Sequence, residues 1–249
     1  MKILLIGAGN MGGAMLEGLK SYEISVVETG DERRAALQRH YPKLTFFDAI
    51  PPLDGYVVIL AIKPQSLESL QTEGEADALI SILAGTPLET LRRKVAAKAY
   101  IRAMPNIAAL KRKAVTSVTG DASFKEQALQ ILSSIGKAIW LESEKQLDIA
   151  TGIGGSAPAW MALVAEALAD GAVNLGLPRA VSYEYVAALM DGMGALLEEE
   201  HPALLKDKVM SPGGTTAAGY AALEEGGVRD SFIRAMEACY RRSEELSQR

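Results

Sequence analysis

The sequence predicts an α/β fold: a mainly parallel sheet covered by helices on both sides, followed by an all-helical second domain. Three observations carry this. Short apolar runs alternate with helical stretches over residues 1–146. The first run ends in a glycine-rich turn, Gly7-Ala8-Gly9. After about Lys145 no strand pattern recurs, and residues 147–249 show only helical spacing.

Ile3–Ile6 reads as the first strand and Met11–Lys20 as the helix after it. Ile24–Glu28 is the second strand and Asp31–His40 the second helix. Tyr56–Ile62 is an unbroken apolar run, long enough for a buried strand and too short for a buried helix. Ala78–Leu83 repeats that pattern ahead of Ala84-Gly85. Ala99–Ala103 and Ala114–Val118 are further strands, Phe124–Ile135 a helix and Ala138–Leu141 a last strand. Strands that are apolar on both faces and separated by helices belong to a parallel sheet.

In the second domain, Trp160, Leu163, Val164, Ala167, Leu168, Gly171 and Leu175 share one helix face. Gly176 stops that helix and Pro178 opens the next. The second face carries Val181, Tyr185, Ala188, Leu189, Gly192, Met193 and Leu196. The third follows Gly226-Gly227 and carries Phe232, Met236, Cys239, Tyr240 and Leu246. Small residues on these faces let helices approach closely, as in a dimerisation module with intertwined subunits.

Of the 249 residues, 49% are apolar and 23% charged. That composition excludes a disordered chain. The net charge of −5 gives no electrostatic reason to bind nucleic acid or an anionic membrane. The longest uncharged run, Ile149–Ala165, is interrupted by Gly154, Gly155 and Pro158, and a spanning helix needs about 20 mainly apolar residues. The opening apolar run is too short for a secretion signal. A single cysteine, Cys239, forms no intrachain disulfide and suits the reducing cytoplasm, where the chain is expected. With two histidines besides, no metal site is expected.

Gly7-Ala8-Gly9-Asn10-Met11-Gly12 fits G-x-G-x-x-G. It follows a strand directly and opens a helix, the context that makes the pattern a Rossmann-type dinucleotide loop. Gly7 permits the tight turn, Gly9 lets backbone approach a pyrophosphate, and Gly12 lets helix pack on strand. With Asn10 and Met11, they present amides and a helix N-terminus to the phosphates. The expected cofactor is NADPH or NADH. Glu28, sixteen residues after Gly12, ends the second strand, where a carboxylate accepts from the adenosine ribose hydroxyls and repels a 2′-phosphate. That leans toward NADH. Arg33 and Arg34 follow, and either clamp a phosphate or lie on a solvated helix face. Ala61, Lys63 and Pro64 end the Tyr56–Ile62 run, and ligands in open α/β sheets sit at such carboxyl ends. Ala84 and Gly85 end the next strand and leave room for a nicotinamide ring, with Asn106 beyond the one after to bind its ribose or amide.

A second candidate site is Ser211-Pro212-Gly213-Gly214-Thr215-Thr216. Ser211 reads as an N-cap and Pro212 as the first helical residue. Two glycines in a first turn are costly for a helix, by roughly 1 kcal/mol each. A helix start that bears that cost, with free amides and two hydroxyls, suits a carboxylate.

Along nearly its whole length the sequence resembles the pyrroline-5-carboxylate reductases. The matching stretches are GAGNMG (Gly7–Gly12), AIKP (Ala61–Pro64), RAMPN (Arg102–Asn106) and GGSAPAW (Gly154–Trp160). They continue with GLPR (Gly176–Arg179), HPALLKDKV (His201–Val209), SPGGTT (Ser211–Thr216) and LEEGG (Leu223–Gly227). SPGGTT is the most specific and the glycine loop the least. The pattern departs at Ala157 and Trp160, where the family usually has glycine and tyrosine, and at Glu28, which is not the polar or basic type of NADPH-preferring members. The resemblance implies NAD(P)H-dependent reduction of the cyclic imine 1-pyrroline-5-carboxylate to L-proline, the last step of proline biosynthesis. It implies a homodimer formed at least through the helical domain. It also implies that Ser211, Gly213, Gly214, Thr215 and Thr216 bind the substrate, with the Thr216 hydroxyl at the ring nitrogen as the catalytic group.

Two other readings are weighed. A β-hydroxyacid dehydrogenase would share both halves but carry a catalytic lysine early in the long interdomain helix, and Gly154–Leu168 holds none. A non-catalytic dinucleotide sensor would need an added partner-binding surface such as a basic recognition helix, which the acidic chain lacks.

Overall fold

Eight strands form one sheet in the order β3-β2-β1-β4-β5-β6-β7-β8. The computed structural model describes residues 1–247, with side chains through residue 245, so the Leu246 side chain falls outside it. β1 is Lys2–Ile6, β2 Glu23–Val27, β3 Thr45–Phe47 and β4 Tyr56–Leu60. β5 is Ala78–Ser81, β6 Tyr100–Met104, β7 Ala114–Gly120 and β8 Gly136–Trp140. β1 to β6 run parallel. β7 lies antiparallel to β6, and β8 follows the direction of β7. The predicted α/β class with a mainly parallel sheet is therefore present. β3, three residues at an edge, had no sequence signal.

The strands are apolar on both faces because both faces are covered. Ile3, Leu5, Val57 and Ile59 face one core, shared with Met15 of α1 (Asn10–Leu19) and Ile131 of α4 (Lys125–Ser133). Their neighbours Leu4, Ile6, Val58 and Leu60 face a second core, closed by Leu91 of α3 (Leu88–Lys94) and by Leu53 and Leu67. α2, Asp31–His40, has no fully buried residue and touches the first core through the half-buried Leu37.

After β8 come α5 (Glu144–Thr151), a single π-helical turn at Gly152–Ser156, α6 (Ala157–Asn174) and α7 (Arg179–Glu199). α8 (Pro202–Val209), α9 (Thr215–Glu225) and α10 (Val228–Ser247) complete the described chain. Pro178, expected to open the second long helix, is the cap residue of α7, directly before Arg179. The chain divides into two compact units. The first comprises Met1–Ser156 and the end of α10 from Ala238; the second is Ala157–Glu237. Among the described residues, no helix is long and apolar enough to cross a membrane.

Candidate active site

Strand order reverses between β1 and β4, and the carboxyl ends of the parallel strands meet there at one edge. In open α/β sheets ligands bind at that place. The residues expected to hold the cofactor all follow those strands. Gly7–Gly12 lies beyond β1, Glu28 beyond β2, Ala61–Pro64 beyond β4, Ala84 and Gly85 beyond β5, and Asn106 beyond β6.

The loops after β1 and β4 are in contact. The Ala61 amide donates to the Ile6 carbonyl (2.8 Å), and the Gly7 amide to the Val27 carbonyl (2.9 Å). Gly7 sits at φ +91, and a Cβ there would come within 2.8 Å of the Ala61 carbonyl oxygen. A Cβ on Gly12 would strike the Gly7 oxygen at 2.2 Å. Gly9 is different: a Cβ there would meet nothing within 4 Å. The open side of Gly9, above a helix N-terminus, leaves the backbone clear for a diphosphate. These residues fit a bound dinucleotide.

Glu28 is tied to that loop. Its carboxylate accepts from the Ala8 amide (3.2 Å) and the Gly30 amide (2.9 Å). Arg33 donates through Nε to the Ala8 carbonyl and through Nη2 to the Gly9 carbonyl (2.8 Å). Arg34 donates to the Glu28 carbonyl (2.8 Å) and pairs with Asp31. Arg33 is thus exposed and at the same time bonded to the glycine loop. Lys63 is exposed and caps a short 3-10 turn that Pro64 begins.

Further along the edge is a cavity of about 240 Å³, lined among others by Ala84, Gly85, Met104, Thr151 and Cys239. Arg102 also reaches it, with a side chain only 5% exposed. Its guanidinium pairs with Glu144 (2.7 Å) and Asp148 (3.0 Å) of α5. Glu144 further accepts from the Leu88 amide (2.9 Å) at the start of α3. A buried cation with one partner removed is strongly destabilising, so both carboxylates matter. The charge of Arg102 inside an apolar strand was the readable signal for this network. Asn106 is nearly buried and uses both ends of its amide. Oδ1 accepts from the Ala108 amide (3.2 Å), and Nδ2 donates to the Gly154 carbonyl (2.8 Å) in the π-helical turn.

In the second unit, Ser211–Gly214 is not a helix start. α9 begins at Thr215 with Gly214 as its cap, so the expected N-cap role of Ser211 is corrected. The Gly214 amide donates to the Ser211 carbonyl (3.0 Å), and Gly213 sits at φ +69. Proline second and a positive-φ glycine third make a type II turn. The glycines serve that turn rather than weaken a helix. Because the Gly214 amide is spent, the amides left for an anion at the N-terminus of α9 are those of Thr215, Thr216 and Ala217. Both threonines are exposed. Nearby in sequence, Arg229 and Tyr220 donate to Glu224 and hold its carboxyl below the usual carboxylate range. Among the described residues, no group of three His, Cys, Asp or Glu side chains is placed to hold a metal ion.

Residues 144–246 match the family model of the pyrroline-5-carboxylate reductase dimerisation region. Residues 2–85 match that of the NADP oxidoreductase, coenzyme F420-dependent, family. The chain is 39% identical to the pyrroline-5-carboxylate reductase of Synechocystis sp., with 98% of each chain covered. Among solved structures, it superposes on the 1-pyrroline-5-carboxylate reductase of Streptococcus pyogenes with a TM-score of 0.84 at 30% identity. On the pyrroline-5-carboxylate reductase of Coxiella burnetii the TM-score is 0.86 at 28% identity. Both superpositions cover 98% of each chain.

The chain belongs to the pyrroline-5-carboxylate reductase family.

The stretches that resemble the pyrroline-5-carboxylate reductases fall on structurally distinct points. RAMPN is β6 and the residues leaving it, and GGSAPAW spans the π-helical turn and the start of α6. HPALLKDKV is α8, whose cap is His201 itself: its Nδ1 accepts from the Ala203 amide (3.2 Å). That bond accounts for His201 as a helix terminus. His40 ends α2 with its ring edge against Tyr41.

Proposed function

We propose that the chain catalyses the NAD(P)H-dependent reduction of 1-pyrroline-5-carboxylate to L-proline. The observation that carries this is the full-length match to pyrroline-5-carboxylate reductases on a chain whose glycine loop, switch point and SPGGTT turn are all in place. The β-hydroxyacid dehydrogenase and sensor readings have no comparable support.

The first unit binds the cofactor. Gly7, Gly9, Asn10, Met11 and Gly12 receive the diphosphate, and Glu28 receives the adenosine ribose. Ala61, Lys63 and Pro64 border the dinucleotide beside the glycine loop, and Ala84 and Gly85 leave space at the nicotinamide end. Asn106 supports that end by holding the π-helical turn, since both ends of its amide are engaged there. When bound, the reduced nicotinamide supplies a hydride.

The second unit binds the substrate. Ser211, Gly213 and Gly214 shape the turn, and the Thr215 and Thr216 amides hold the carboxylate at the N-terminus of α9. The imine carbon of a protonated C=N is already electrophilic, so these groups need only hold it against the hydride donor. As the carbon accepts the hydride, the C=N π pair becomes a nitrogen lone pair. The Thr216 hydroxyl accepts a hydrogen bond from the ring N–H and keeps the ring oriented while the amine forms.

The working form is a homodimer built through the helices. Of the second unit's apolar side chains only Ala169, Val186 and Leu205 are buried, while Leu163, Leu175 and Tyr185 are exposed. A single cysteine suits the reducing cytoplasm.

The test is spectrophotometric. Protein with reduced nicotinamide and 1-pyrroline-5-carboxylate should lose the absorbance of the reduced ring and form proline in equal amount. Turnover only with 3-hydroxyacids and oxidised cofactor would overturn the assignment.

A further inference from the structure

We propose that this chain selects NADH over NADPH, that Glu28 enforces the choice, and that Arg33 braces the glycine loop that both cofactors would use. The inference rests on the dinucleotide reading of the glycine loop. An adenosine 2′-phosphate needs cations where β2 ends. Two arginines follow that strand, and the structure shows where each has gone. Arg33 gives Nε and Nη2 to the carbonyls of Ala8 and Gly9. Arg34, with a side chain only 19% exposed, is held by the Glu28 carbonyl and Asp31. The Glu28 carboxylate is fixed by two backbone amides, one from the glycine loop and one from the turn into α2. Asp31 and Glu32 stand exposed on the first turn of that helix. The end of β2, where a 2′-phosphate would sit, therefore presents the Glu28 carboxylate, and both arginines that follow are engaged by other acceptors. A carboxylate pair-accepts from the free 2′- and 3′-hydroxyls and repels a phosphate.

Arg33 does a different job: it braces the loop. The Ala8 peptide is gripped on its amide side by Glu28 and on its carbonyl side by Arg33, so the glycine loop is cross-linked to the β2–α2 turn. Gly13 makes room for this. A Cβ there would lie 2.8 Å from Arg33 Nη2. Arg33 is a positioning residue, and its removal should weaken both cofactors alike.

The experiment is calorimetric titration of the substrate-free protein with NADH and with NADPH. The wild-type chain should bind NADH at least about tenfold more tightly, the scale on which like charges brought together discriminate. Glu28→Gln keeps the side chain's shape, removes its charge and should bring the two Kd values to within about threefold. Arg33→Ala should weaken both cofactors several-fold and leave their ratio unchanged, a signature that general loss of fold would not give if thermal melting is held as a control. Tighter binding of NADPH by the wild type, or a selective loss of NADPH in Arg33→Ala, overturns the inference while leaving the reductase assignment standing. Binding of neither nucleotide overturns both.

Discussion

The two compact units bury their apolar side chains in different ways. In the first, Ile59 and Leu60 are adjacent on β4, face opposite sides of the sheet, and are both fully buried. Each face has its own core, closed by segments of the same unit. In the second, α6 and α7 carry apolar residues all along their lengths, yet Leu163, Tyr185 and Leu189 lie open and Leu175 is 92% exposed. Exposed apolar surface on this scale marks an interaction face. The contrast teaches that one unit closes its apolar faces with its own segments and the other leaves apolar side chains uncovered. It also separates the proposed chemistry: the first unit carries the edge proposed for the cofactor, and the other the turn proposed for the substrate.

The comparison can be broken most sharply at Thr216. If the second unit supplies the group at the ring nitrogen, Thr216→Ala should lower kcat by about 10²–10⁴-fold, the usual range for a lost proton-transfer partner. Cofactor affinity, a property of the first unit, should stay within about twofold by fluorescence titration. Unchanged turnover would remove Thr216 from the mechanism.

A pair of substitutions addresses burial directly. Leu60→Ala should destabilise the protein by about 2–5 kcal/mol in denaturant melts without changing its assembly state. Leu189→Asp should leave NADH binding intact and yield monomers in sedimentation velocity. A Leu189→Asp protein that remains dimeric would place the interface elsewhere. The smallest expected effect is at Gly213. Gly213→Ala forces a side chain into the left-handed region and should cost about 1–2 kcal/mol. It should raise the KM for 1-pyrroline-5-carboxylate more than that for the cofactor.

Much of the first unit could be read from the sequence because its signals are local. An apolar run with a glycine turn behind it is enough to place β1, and Tyr56–Leu60 needs only its own length. β3 escaped because Thr45–Phe47 is too short to show a period. The SPGGTT segment forms a turn where its sequence suggests a helix start. Ser-Pro suits both a helix cap with its first residue and the opening of a type II turn, and only the sign of the Gly213 φ tells them apart. The arginines at 33 and 34 show a different limit. Their charge is visible in the sequence, but the carbonyls of Ala8 and Gly9 that absorb Arg33 are not, since every residue has one. Asn106 is similar: its partner at Gly154 is 48 residues away.

The direction of β7 has a consequence for where the chain travels. Because β7 and β8 run against the other six strands, β8 delivers the polypeptide to the rim opposite the glycine loop. α5 must then carry it back, and residue 154 arrives beside Asn106, on the same rim as the loop. Had the last two strands followed the rest, the backbone would have left this unit from the far rim. Two reversed strands thus act as a return path, and they decide from which side residue 157 sets out.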